Sequence, residues 1–435
     1  DAGAEGSVPG GEGGYVQLNG DYFLENSGSI NAEGGDSIDS YAGEGGVINL
    51  YSDYLLANSG ELSIDGGSGT RAYSYTGSDV FLQSHHTLIN TGNISAIGSS
   101  AVVGEEDLDS FGGKGGDIFL RLYTNDGGAS SLAEDPKLIN TGSLSANGGA
   151  PAGSYAGGEG GRISIYVSES EYGAQGTAHP ATIAISGNLT ADGYTSETVE
   201  VGGEGGQIYI GQDSTAISEA DTLIVGYTEI NTSGGSGLGE GGYAGDIEVS
   251  SYSNDEDDYA LVYAPASPVV VEDINLIATG GSATYENTLG EEFGIASGTG
   301  GYGGIVQLFS SAAVPALQAE IVDATVEFSG TIDISGGSAT GFEEFDNAIG
   351  GGAQLVTLGG THGVTLEGTL TANGGSASSA GRDEANEDGQ TYFYGAEGGS
   401  LFVNAPSGDV DVDASVSLNA GNAANYAMNG GSIGL

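Results

Sequence analysis

The chain has 435 residues, 84 of them glycine and none of them cysteine or tryptophan, which excludes a disulfide framework. Helices are disfavoured as well, because no stretch sustains a 3.6-residue apolar period without a glycine. Asp and Glu total 60 against 6 Lys and Arg, a formal net charge of -54 that repels nucleic acid and anionic lipid, so neither is expected as a partner.

The predicted elements begin at Gly10 with a two-part phrase that returns along the chain. Its first part is a glycine box followed by an alternating strand, Gly10-Gly11-Glu12-Gly13-Gly14-Tyr15-Val16-Gln17-Leu18. Its second part is an Asx-Gly turn and a short strand closed by Gly-Gly, Asn26-Ser27-Gly28-Ser29-Ile30-Asn31-Ala32-Glu33-Gly34-Gly35. The first part returns at Gly43 to Leu50, in degraded form at Thr76 to Leu82, and then at Gly112 to Leu120, Gly157 to Val167 and Gly202 to Ile210. Further copies run from Gly239 to Val249, Gly300 to Leu308, Gly350 to Leu358, Ala396 to Val403 and Gly430 to Leu435. The second part closes at Gly34, Gly66, Gly98, Gly148, Gly193, Gly234, Gly280, Gly336, Gly374 and Gly421. Eleven first parts thus stand against ten second parts, at intervals from 32 residues (Gly34 to Gly66) to 56 (Gly280 to Gly336). A fixed frame with loops of variable length and no composition break reads as one domain, residues 1–435, built as a solenoid.

Within each repeat, three short strands are expected. Val16 and Leu18 alternate with Tyr15 and Gln17, so one pair faces inward. A second apolar run follows, as in Leu88-Ile89 or Val364-Thr365-Leu366, and a third as in Ser143-Leu144-Ser145-Ala146. The intervening glycines are expected to supply positive φ at sharp corners. Stacked in parallel at about 4.8 Å, about ten such coils make a rod roughly 50 Å long. The expected fold is therefore all-β, a right-handed parallel β-helix, the hand following from the dominance of right-handed crossovers.

Stacking identical positions predicts two ladders. Asn26, Asn58, Asn90 and Asn140 each precede Ser/Thr-Gly, and their amides are expected to bond along the rod axis. Tyr41, Tyr75, Phe111 and Tyr155 sit just ahead of the glycine box and are expected to form an aromatic stack, with ladder packing preferred over a carbohydrate platform.

These phrases resemble those of secreted and surface-displayed bacterial right-handed parallel β-helix proteins of the pectate-lyase-like superfold, and the resemblance covers essentially the whole chain. It implies the fold closely and the function only loosely, because that superfamily includes polysaccharide lyases and hydrolases, adhesins and assembled surface structures.

Carboxylates cluster, so calcium is the one ligand to weigh, although no cofactor is required. Asp409, Asp411 and Asp413 alternate with valines on one strand face, about 6.8 Å apart, and Asp255, Asp257 and Asp258 share one loop run. Glu12, Glu44, Glu159, Glu204, Glu240 and Glu397 recur inside the glycine box. Solvated acidic surface suited to a saline exterior is the preferred reading of all three sets. A non-enzymatic role is expected too. Arg71, Lys114, Arg121, Lys137, Arg162 and Arg382 are scattered over different repeats, and His85, His86, His179 and His362 have no metal-ligand spacing.

The first and last elements are the same strand type, without an amphipathic helix or charged cap. Tyr15, Val16 and Leu18 at one end and Ile433 and Leu435 at the other are therefore expected to meet across head-to-tail contacts, the last strand acting as a donor. The expected function is an extracellular structural protein, a filament or surface-layer subunit whose main partner is itself. An adhesin or matrix protein that engages glycans or other cell-surface components is the alternative, and a polysaccharide-active enzyme ranks third. Asp1 in place of an initiator methionine reads as the start of an exported product, located outside the cell or on its surface, with no direct membrane insertion.

Overall fold

The computed structural model of the chain describes residues 8–72, 78–102, 110–123, 136–152, 156–168, 182–196, 200–213, 223–226, 228–252, 268–284, 297–311, 324–341, 347–379, 393–423 and 428–435. Its regular elements are all β-strands, and each strand pairs in parallel with its equivalent one repeat away. The cause is visible in Val47–Ser52. Ile48, Leu50 and Ser52 point inward and are buried, while Val47, Asn49 and Tyr51 point outward and are half-exposed. One face of such a strand finds apolar cover only in a coil interior, so the pleat fixes the register: Tyr15 lies opposite Val47, and Leu18 opposite Leu50.

Eleven strands stack in this way into one long sheet, from Tyr15–Gly20 to Ser432–Gly434. A second face begins with Phe23–Asn26 and a third with Ile30–Asn31. As far as Glu229–Asn231 the second and third strands are separate. From Val269–Ile277 onward they run together as one nine-residue strand, repeated at Thr325–Asp333, Gly363–Thr371 and Asp409–Ser417, and this joins 16 strands into one sheet. The bend within these long strands needs left-handed backbone, found at Asp273 (φ 49°), Gly330 (φ 134°) and Gly368 (φ 106°). The architecture is a parallel β-helix.

One apolar cluster runs through the interior from Ala32 to Val403. Its columns are made of like residues, for example Ile118, Ile163, Ile208 and Ile247, each at most 1% exposed. Fully burying one such side chain contributes about 1.5–3 kcal/mol, a gain realised only when coils lie on both sides.

The glycine boxes serve a different end from the one expected. Among the described residues, only Gly330 and Gly368 of all the glycines have positive φ. The box and the Gly-Gly instead interleave along one seam parallel to the rod axis. Gly35 N–H donates to the Gly11 carbonyl at 2.7 Å, Gly43 to Gly35 at 2.8 Å, and Gly67 to Gly43 at 2.9 Å. The same zigzag continues through Gly242, Gly281, Gly301, Gly337, Gly351 and Gly375. Two backbone segments thus share each layer, and no room remains for a side chain: a Cβ on Gly301 would meet the Gly242 carbonyl oxygen at 1.9 Å. Close approach, rather than turn conformation, explains why both halves of the phrase are rich in glycine.

Candidate binding face and coil ends

The outward residues of the long sheet form a grid. Strand spacing sets rows about 4.8 Å apart, and the pleat sets columns about 6.8 Å apart. One column reads Asp79, Asp117, Arg162, Gln207, Asp246, and the next reads Phe81, Phe119, Ser164, Tyr209, Glu248, Gln307. Two of the six basic residues of the chain, Arg121 and Arg162, stand here on adjacent strands.

Phe81 and Phe119 stack with centroids 4.8 Å apart and planes 8° apart. The Arg121 guanidinium lies 4.7 Å from the Phe119 centroid, 5.3 Å from Tyr166 and 5.8 Å from Phe81, and its Nε is buried without a hydrogen-bond partner. Aromatic faces stand in for water around this cation. Arg162 reaches over the same cluster, 5.9 Å from Phe119. Beside it, burial raises the Asp117 carboxyl above the usual carboxylate range, opposed by Arg162 and Lys114. Burial raises Asp79 as well, helped by the Asp117 charge.

Next to this cluster the grid dips into a cleft of about 190 Å³, framed by Arg162, Gln207, Tyr209, Asp246, Glu248 and Gln307 with Ile305 at its edge. Among the described residues the side-chain amides of Gln207 and Gln307 make no hydrogen bond. Desolvation by its neighbours raises the Asp246 carboxyl, against a backbone N–H from Ile305 that favours the charged form. None of these residues stands out in the sequence. Alternation identifies them as outward, but outward positions follow no repeat.

Of the predicted ladders, the asparagines stack along the axis. Asn26 Nδ2 donates to Asn58 Oδ1, Asn58 to Asn90 and Asn90 to Asn140, each at 2.7 Å. Each amide also donates to the carbonyl two residues on, as Asn90 does to Gly92 at 2.9 Å. The column then turns apolar, continuing as Ile185, Val225, Val271, Phe328 and Leu366. The neighbour of Tyr41 in the next coil is Arg71 rather than Tyr75, because loops of unequal length slip the residues ahead of the box. Arg71 lies over the Tyr41 ring at 5.4 Å, and Phe111 is exposed. Tyr75, Tyr155, Asp255, Asp257 and Asp258 fall outside the described residues.

Asp409, Asp411 and Asp413 face outward on the Asp409–Ser417 strand, opposite Gly363, Thr365 and Glu367, and all three are exposed. Among the described residues no group of three or more acidic or histidine side chains is arranged to hold a metal ion. Glu240 does not occupy the box position. Val201 is its neighbour, and the residue that follows Glu204 in that column is Tyr243.

A further ladder runs through the residue that precedes Gly-Gly. Asp65 Oδ1 accepts from Ile97 N–H at 2.7 Å, Asn147 Oδ1 from Asp192 at 2.8 Å, Asp192 Oδ1 from Ser233 at 3.0 Å, and Asn373 Oδ1 from Asn419 at 2.8 Å. Burial pushes the Asp192 carboxyl up to about 6, against the Ser233 N–H. The recurrence of Asp, Asn, Ser or Thr before Gly-Gly is the sequence signal for this ladder.

At both ends of the described stack the inward columns lie open. Leu18 is 39% exposed, whereas its register partner Leu50 is fully buried; Val410, Val412, Ile433 and Leu435 are 38%, 39%, 56% and 81% exposed. Tyr15 is exposed and Val16 half-buried on the same first strand. The Ser432–Gly434 strand lies on Ser400–Asn404 of its own chain, while the Asp409–Ser417 strand has one unpaired edge. No family model, no curated protein and no solved structure matches the chain.

Proposed function

We propose that the protein is an extracellular structural subunit whose parallel coils add end to end, so that a second copy covers each open coil. The observation that carries this reading is that columns buried along the whole rod become exposed at both of its ends. The polarity fits head-to-tail joining. Among the described residues, the Gly11 N–H at one end of the seam has no acceptor, and the Gly421 carbonyl at the other has no donor. The setting outside the cell, on a bacterial surface or in secreted material, is supported by the resemblance of the repeated phrase and by the net charge of -54, which salt and divalent cations screen.

Leu18→Asp and Val412→Asp test the reading, because each charge would enter a junction interior while costing the single subunit little at a half-exposed position. Electron microscopy and sedimentation should show polymers for the parent chain and single rods for each variant. Polymers that persist in both variants would refute joining through the coil ends.

A further inference from the structure

We propose that the cleft on the long sheet binds an uncharged oligosaccharide, one sugar unit seated between the two outward columns. This inference does not depend on end-to-end joining, because the cleft lies midway along the rod and faces sideways.

The chemistry of the cleft selects the ligand. Gln207 and Gln307 each bring a carbonyl and an amino group, neither engaged within the described residues, to opposite corners of the cleft. A polyol matches such planar amides and carboxylates, since each hydroxyl both donates and accepts. The Tyr209 ring and Ile305 supply apolar surface for the C–H face of a sugar ring. Charge argues against the other classes. Arg162 faces Asp246 and Glu248, so the site carries nearly balanced charge, and the field of the acidic chain disfavours an anionic ligand. Arg162 stands directly beside Gln207 in the grid, where a ligand cation would meet its repulsion. All six side chains stand on paired strands of one sheet, so little order remains to be gained on binding. The small volume suits one ring rather than a buried oligomer, and the open grid on either side lets a longer chain extend across the strands.

Isothermal titration of the full chain tests the proposal with maltohexaose, cellohexaose and mannohexaose as neutral probes, and with hexagalacturonate and hexalysine as charged ones. At least one neutral hexaose is expected to bind, and Gln207→Ala with Gln307→Ala is expected to weaken it by about tenfold or more. Those substitutions remove no hydrogen bond within the described protein, so the melting temperature should stay that of the parent. Gln17→Ala, in an outward position at the far end of the same face, should leave binding unchanged. The inference is overturned if no neutral hexaose binds, if hexagalacturonate or hexalysine binds in preference, or if the double variant binds as the parent does.

Discussion

The four asparagines at the corner of the first coils illustrate how a side chain acts when it is stacked on copies of itself. Asn90 accepts from Asn58 and donates both to Asn140 and to the Gly92 carbonyl, all without contact with water. Asn90→Ala strands three buried partners at once and should cost about 2–4 kcal/mol in urea unfolding. Asn90→Asp should be worse at neutral pH, since it replaces two donors with a buried charge. Asp192 gives the opposite case, a carboxylate whose loss should help. Burial raises its carboxyl to about 6 from an unfolded value near 3.8, so between those values the folded chain holds a proton that the unfolded chain has released. Stability contributed by that group is present below the window and declines as pH rises through it. Asp192→Asn keeps the oxygen that accepts from Ser233, as Asn147 does one coil earlier, and should raise the melting temperature at pH 7 while flattening its change between pH 4 and 7. A variant that melts lower at pH 7 and keeps the slope would contradict this account of Asp192.

At the scale of the element, the seam of interleaved glycines makes the sharpest distinction between positions that look alike. Gly301→Ala would place a Cβ 1.9 Å from the Gly242 carbonyl oxygen, with backbone on both sides, and should destabilise by about 3 kcal/mol or more as the coils are forced apart. Gly14→Ala, in the same phrase but with nothing within 4 Å of the added atom, should melt as the parent does. Gly330→Ala combines a left-handed φ with a contact at 2.2 Å to the Ile274 carbonyl oxygen and should cost about 2–3 kcal/mol. The strands themselves are legible in the sequence, because the alternation of Ile48 and Leu50 with Asn49 and Tyr51 is a local pattern with a period of two. The purpose of the box glycines is not, because it depends on which backbone segment a later coil brings alongside. The Asn corner is legible to Asn140 and then lost, since Ile185 fills the same place by packing instead of hydrogen bonding. The cleft stays hidden for a related reason: Gln207 and Gln307 become neighbours of the same space only through two strand registers, across 100 residues of sequence.

The whole molecule carries its acidity as a thermodynamic property. Burial raises the carboxyls of Glu44, Asp79, Asp117, Asp192, Glu204 and Asp246 above their ordinary values, and among the described carboxylates only Asp36 is held lower, by hydrogen bonds from Ser68. A raised carboxyl favours the folded state at low pH, so the melting temperature should climb as pH falls from 7 toward 5, and salt should raise it at pH 7 by screening a net charge of -54. The same repulsion opposes contact between copies, so end-to-end joining should strengthen with ionic strength. In the long sheet the Gly11 and Gly14 positions face the open end, with nothing within 4 Å of an added Cβ, while their equivalents Gly43 and Gly46 would strike the preceding coil at 2.1 and 2.0 Å. A joined copy would bring the same contact to Gly11 and Gly14. Cryo-electron imaging of the purified chain beside Gly11→Ala with Gly14→Ala, across a range of salt and calcium, therefore tests the central claim most directly. The parent should form filaments with an axial layer spacing of about 4.8 Å, and the variant should remain as single rods of unchanged stability. Single rods of the parent under every condition, or filaments formed equally by both, would contradict it.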